Sequence, residues 1–132
     1  MKIAITGKKG SGKSFILSEF QKFGIPSIKI DNDISILDNF YEKHKLSPYV
    51  LIECTYLFEY KLETYFDNVL YIYTDTELRN RNNIKKNLTN TNINIIELPE
   101  EYKTVKSDWV MVNNYTNIIL NDINLLHNYL IK

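Results

Sequence analysis

The segment Gly7-Lys8-Lys9-Gly10-Ser11-Gly12-Lys13-Ser14 fills every fixed position of the pattern Gly-x-x-x-x-Gly-Lys-Ser/Thr, directly after the apolar-rich run Lys2-Ile3-Ala4-Ile5-Thr6. Few arrangements satisfy such a stretch: a strand must break into a glycine loop and continue as a helix. The chain has four glycines and three of them fall in this loop, where Gly7, Gly10 and Gly12 let successive N–H groups turn inward as an anion nest. Lys13 is suited to the β- and γ-phosphates and the Ser14 hydroxyl to Mg²⁺, with the helix that begins near Lys13 aiming its positive end at the same place. The predicted nucleotide-binding set is Gly7, Lys9, Gly10, Ser11, Gly12, Lys13, Ser14 and Phe15, and the ligands it implies are ATP and Mg²⁺. A dinucleotide fingerprint fits less well, because Phe15 stands where its last glycine would be.

Strand-like runs recur at Lys2–Thr6, Ser27–Ile30, Tyr49–Cys54, Val69–Thr74 and Trp109–Val112, each followed by helical or loop character. Their near-continuous apolar content predicts an α/β chain, a five-stranded parallel sheet with helices on both faces in three layers. After the loop, Phe15, Ile16, Leu17, Phe20 and Phe23 form a helical apolar face. The stripe Ile118, Ile119, Ile123, Leu126 and Leu130 predicts a last helix docked on the sheet. Residues 79–98 are expected to hold a lid or loop, with Arg79 to Asn94 its polar, weakly patterned part.

Ligands of open parallel sheets lie at the carboxyl ends of the strands. Asp31 and Asp33 follow the second strand. One carboxylate would orient or deprotonate an acceptor hydroxyl and the other assist Mg²⁺, while Asp33 can equally serve as a helix cap. Glu53 ends the third strand, either as the acid that holds Mg²⁺ through water or as a solvent-facing strand end. The only arginines, Arg79 and Arg81, come together after the fourth strand; they read as phosphate-binding forks or as a solvated surface pair.

With 132 residues the chain reads as one domain, 1–132, short for an enzyme with a separate substrate lobe. Its zero net charge offers no electrostatic footprint for nucleic acid or an anionic membrane, and no apolar run reaches the ~20 residues needed to span a bilayer. A cytoplasmic protein is expected. Cys54 is the only cysteine and reads as a small buried hydrophobe; His44 and His127 show no metal-ligand spacing with it.

Together these segments resemble the dephospho-coenzyme A kinase family, P-loop kinases related to the nucleoside monophosphate kinases. The likeness rests on the phosphate loop, on Gly24-Ile25-Pro26 leading to Asp31-Asn32-Asp33, and on Thr55-Tyr56-Leu57-Phe58-Glu59. It extends through Asp67 to Arg81, Leu98-Pro99-Glu100-Glu101-Tyr102-Lys103 and Ser107-Asp108-Trp109-Val110-Met111-Val112-Asn113-Asn114. The resemblance implies Asp31 as the catalytic carboxylate and Asn113 as the start of the loop around adenine. It also exposes a gap: 34–48 stand where the family carries a much longer acceptor-binding region, leaving one short helix around Ile36 to His44.

The expected function is phosphoryl transfer from Mg-ATP to a small acceptor, with Lys13, Asp31, Arg79 and Arg81 as the catalytic set and Ser14, Asp33 and Glu53 as the metal set. The acceptor implied by the resemblance is dephospho-coenzyme A, with a nucleoside monophosphate as alternative. A different class of reading is a nucleotide-binding module that has lost transfer chemistry and acts through a partner or as an oligomer. A GTPase switch finds little support, because the guanine-reading Asn-Lys-x-Asp pattern is absent.

Overall fold

The computed structural model describes residues 1–85 and 95–132. Five strands form one sheet: β1 (Lys2–Gly7), β2 (Ser27–Lys29), β3 (Val50–Glu53), β4 (Asn68–Tyr73) and β5 (Trp109–Val112). They run in the order β2-β3-β1-β4-β5 with every neighbouring pair parallel, as expected. Strand ends differ from the expected ones by a residue; Tyr49, for instance, precedes β3.

Parallel strands need crossovers, and helices α1 (Lys13–Gln21), α2 (Leu37–Lys43), α3 (Thr76–Lys85), α4 (Glu100–Lys106) and α5 (Ile118–Leu130) fall between or after them. Alternate residues of the inner strands face opposite sides, which explains why the strands are apolar throughout. On one side Ile3, Ile5, Leu51, Leu70 and Ile72 pack with Ile16, Leu17 and Phe20 of α1 and Ile119, Ile123 and Leu126 of α5. On the other, Ala4, Val50, Ile52 and Val69 meet Leu37 of α2 and Leu57, Phe58, Leu62 and Phe66 of the β3–β4 connection. Full burial of side chains of this size contributes about 1.5–3 kcal/mol each.

The expected apolar faces are trimmed by the structure. Phe15 and Phe23 are exposed rather than core, although Phe23 stacks on His127 with ring centroids 4.0 Å apart. Ile118 is likewise exposed at the start of α5. His127 is a core residue, its Nδ1 2.7 Å from the Tyr49 hydroxyl. Cys54 is buried, and burial pushes its thiol up to about 11, so it stays protonated. The expected lid is helical over α3, and residues 86–94, with most of the Asn-rich stretch, lie outside the described residues.

α2, the short helix expected around Ile36 to His44, runs Leu37–Lys43. Leu37 enters the core, the Tyr41 ring lies 4.4 Å from Lys2 Nζ at the start of β1, and α2 helps to line a cavity of about 470 Å³ with Met1 and Lys2. It is a crossover helix directed to the amino end of the strands. Among the described residues no helix is long and apolar enough to cross a membrane.

Candidate active site

β1 lies at the centre of the sheet, between β3 and β4, and the chain leaves it as the loop 7–14 at the switch point where open α/β sheets hold ligands. At Gly12 the backbone turns left-handed (φ 89°) before α1, and a methyl group there would overlap the Asn113 amide. At Gly7 a Cβ would lie 2.5 Å from the Ile72 carbonyl oxygen. The first glycine is therefore required by the neighbouring strand and the last by the residues beneath the loop.

That support comes from the far end of the chain. The Ser11 carbonyl accepts hydrogen bonds from Thr74 Oγ1 at 3.0 Å and Asn113 Nδ2 at 2.9 Å, and the Gly10 carbonyl accepts one from the Tyr115 hydroxyl at 2.7 Å. Asn113 Oδ1 in turn accepts the Tyr115 N–H at 3.0 Å, which holds Tyr115 in a left-handed conformation (φ 58°) that non-glycine residues seldom adopt. Thus Asn113, read as the start of a base-contacting loop, has its own amide engaged on both sides, bracing the phosphate loop. Thr74 and Tyr115 carried no sequence signal of their own; only their position after strands four and five could have drawn attention to them.

Lys13 is buried and donates to the carbonyls of Gly7 at 2.8 Å and Lys8 at 3.0 Å. Burial lowers its pKa to about 8, against the opposing pull of the Glu53 carboxylate. The Ser14 hydroxyl lies 3.4 Å from Glu53 Oε1, a contact that joins the head of α1 to the end of β3. Glu53 is itself buried, with Oε2 3.6 Å from the exposed Lys29 ammonium. A hydroxyl and a carboxylate oxygen at this spacing are hard-cation donors of the kind Mg²⁺ takes alongside phosphate oxygens and water. The Ser11 hydroxyl, buried with no hydrogen-bond partner among the described residues, adds a polar group inside the loop. These residues fit Mg²⁺ and a polyphosphate chain.

The other predicted residues are spread more widely. Asp31 is exposed just past β2, its carbonyl accepting the Cys54 thiol at 3.1 Å, which sets it beside the end of β3. Asp33 lies in the turn that follows β2. Its Oδ1 accepts the Ser35 hydroxyl at 2.6 Å and the Ser35 N–H at 3.0 Å, and these bonds hold the carboxyl below its ordinary range. It anchors the turn ahead of α2, and among the described residues no group of three acidic, His or Cys side chains could hold a metal ion.

Arg79 and Arg81 diverge because residues two apart on a helix point to nearly opposite sides. Arg79 is buried against the end of β4, with Nε 3.1 Å from the Thr74 carbonyl and a terminal nitrogen 3.1 Å from Thr76 Oγ1. Arg81 is exposed and paired with Glu77. A second wall of the same region is fixed by the buried Lys103–Glu59 pair at 2.6 Å, with Glu59 also accepting the Leu98 N–H at 3.0 Å.

This fold recurs in solved structures. The protein TT1252 of Thermus thermophilus superposes with a TM-score of 0.72 at 18% identity, over 98% of this chain and 96% of that one. Deoxyadenosine kinase from M. mycoides with bound dATP gives 0.56 at 18% identity over the whole of both chains, and shikimate kinase from Aquifex aeolicus gives 0.52 at 14% over 98% of each. The chain has the fold of the P-loop kinases. No protein-family model and no curated protein sequence matches it.

Proposed function

We propose that this P-loop domain is a Mg-ATP-dependent phosphotransferase acting on a small acceptor. The observation that carries the reading is the approach of Ser14 Oγ to Glu53 Oε1, 3.4 Å apart at the foot of a complete phosphate loop. Nucleotide binding alone needs the loop, whereas transfer also needs the divalent ion positioned against the phosphates. Ser14 and Glu53 would hold Mg²⁺, which on binding neutralises charge between the terminal phosphates.

The chain's own residues supply the rest. Lys13 exchanges the carbonyls of Gly7 and Lys8 for phosphate oxygens and regains its full positive charge beside them. Arg79 stands at the first turn of α3, where a guanidinium can swing from Thr74 and Thr76 to the transferring group. Arg81 is held only by an exposed pair, which is cheap to release, so it remains a candidate for the same work. Asp31, at the carboxyl edge beside Cys54, is the carboxylate we assign to the acceptor hydroxyl. Dephospho-coenzyme A is the acceptor that the sequence resemblance implies, and a nucleoside monophosphate is the alternative. Deoxyadenosine kinase among the neighbours adds a nucleoside to the acceptors worth testing.

A second reading has one observation in its favour. α2 is directed to the amino end of the sheet, and this short crossover stands where the resembling family carries its acceptor region, as a nucleotide-binding module without transfer chemistry would have it. Coupled ADP release separates the two: Mg-ATP is supplied alone, with dephospho-coenzyme A, and with nucleosides and their monophosphates, with Lys13→Ala as control. Stimulation by one acceptor, lost in the variant, supports transfer. Nucleotide binding without stimulation by any of them favours the module.

A further inference from the structure

The two edges of the sheet are built differently. β2 has three residues and carries the exposed Lys29, features that keep a sheet edge from pairing with another chain. β5, Trp109-Val110-Met111-Val112, has neither charge nor proline. Asn113 donates its N–H inward to the Tyr73 carbonyl at 2.8 Å, in register with the Tyr73–Val112 pair, and backbone groups alternate in direction along a strand, so those of Val110 and Val112 point away from β4. They are set to receive a further strand.

The side chains around this edge are apolar as well. α5 turns Leu125 and Tyr129 outward, 69% and 64% exposed and one helical turn apart, while Val110 and Val112 on the opposite face of the sheet are 46% and 47% exposed. Between α5 and the strand, Trp109, Met111, Leu126 and Asp122 help to line a groove of about 380 Å³. Asp122 is the only charged residue in that lining.

We propose that β5 pairs antiparallel with β5 of a second copy across a two-fold axis, joining two five-stranded sheets into one. An axis normal to the sheet keeps both α5 helices on the same face. Leu125 and Tyr129 of one copy then meet their counterparts, and Val110 and Val112 meet theirs on the other face, the self-complementarity that an isologous interface requires. A lone peptide strand could satisfy the backbone groups of Val110 and Val112 but would leave Leu125 and Tyr129 in water; a second copy brings a helix together with its strand. The paired strand leads straight into Asn113 and Tyr115, so association would also steady the support of the phosphate loop.

The test is sedimentation velocity on the full chain across roughly 10–100 µM, a range that populates dimers of micromolar affinity. Twice the chain mass is expected for the unmodified protein. Val110→Lys and the double variant L125E/Y129E change only exposed side chains, and each should weaken association by tenfold or more, with circular dichroism and nucleotide binding at saturating protein retained. A monomer across the whole range, or a dimer that neither variant weakens, overturns the proposal. The outcome does not depend on phosphoryl transfer, so it stands or falls apart from the proposed activity.

Discussion

The loop 7–14 and the turn 31–35 lie at the same edge of the sheet and are held in opposite ways. The loop is gripped from far along the chain, by Thr74, Asn113 and Tyr115, and closed over the buried Lys13. The turn is held mainly by itself, through Asp33 and Ser35, with Asp31 exposed beside it. Rigidity is concentrated where a phosphate chain of fixed geometry would bind. The side left for the acceptor keeps side chains that can still move.

The strongest way to break this contrast is Lys13→Ala. Turnover is expected to fall by about 10²–10³ or more, as when a donor to developing charge is removed. The unfolding midpoint at neutral pH should hold or rise, because the variant removes the cost of burying that ammonium. An equally large loss of stability would mean that the loop is structural. Asp31→Asn comes next: it should leave stability unchanged and lower turnover by about 10²-fold if the carboxylate handles the acceptor proton. Full activity in Asp31→Asn would move that role elsewhere.

Asn113→Ala tests the distant grip. It leaves the buried Ser11 carbonyl with one partner fewer and removes the side-chain carbonyl oxygen that accepts the Tyr115 N–H. A destabilisation of about 1–3 kcal/mol is expected in urea unfolding, together with weaker nucleotide binding. Loss of stability without loss of affinity would show that the loop keeps its shape unaided.

What the sequence disclosed follows the same division. The phosphate loop is contiguous, so its glycines, Lys13 and Ser14 could be read directly, and the inner strands could be read because burial on both faces makes them continuously apolar. The grip could not be read, because Thr74 and Tyr115 meet the loop only after β4 has been laid beside β1 and β5 beside β4. Asn113 was found by resemblance, but its partners emerged only from packing. Arg79 and Arg81 looked like one feature because they are close in the chain; α3 turned them to different sides. The short helix expected around Ile36 to His44 is α2, but where it would pack was not legible: Leu37 and Tyr41 found their contacts on the face of the sheet and near its amino end.

The buried Lys13 also predicts a pH dependence whose sign differs between binding and stability. Its folded pKa of about 8 lies below the ordinary value of 10.5, so between them the unfolded chain holds more protons. Stability should therefore rise with pH across that window, on the order of 1–3 kcal/mol relative to a Lys13→Met variant, in paired urea titrations. Nucleotide affinity should move the other way and decline above about pH 8, since phosphate oxygens need the ammonium. Calorimetry in buffers of different ionisation enthalpy should detect proton uptake on binding at alkaline pH. Binding with no proton uptake there would show that Lys13 is already charged.

The smallest expected effect belongs to Asp33, and it sharpens the contrast from the side of the turn. Its carboxylate is exposed and already bound to the Ser35 hydroxyl and N–H. Because those bonds hold its folded pKa below the ordinary value, whatever it adds to stability is present at neutral pH and lost as the pH falls through the acid range. Asp33→Ala should loosen a local turn and shift the unfolding midpoint slightly. The Mg²⁺ concentration for half-maximal turnover should not change, since the ion is assigned to Ser14 and Glu53, whereas Glu53→Gln should raise it. If Asp33→Ala raises the Mg²⁺ requirement as strongly as Glu53→Gln does, the turn closes onto the metal during turnover, and the acceptor side is as tightly organised as the loop.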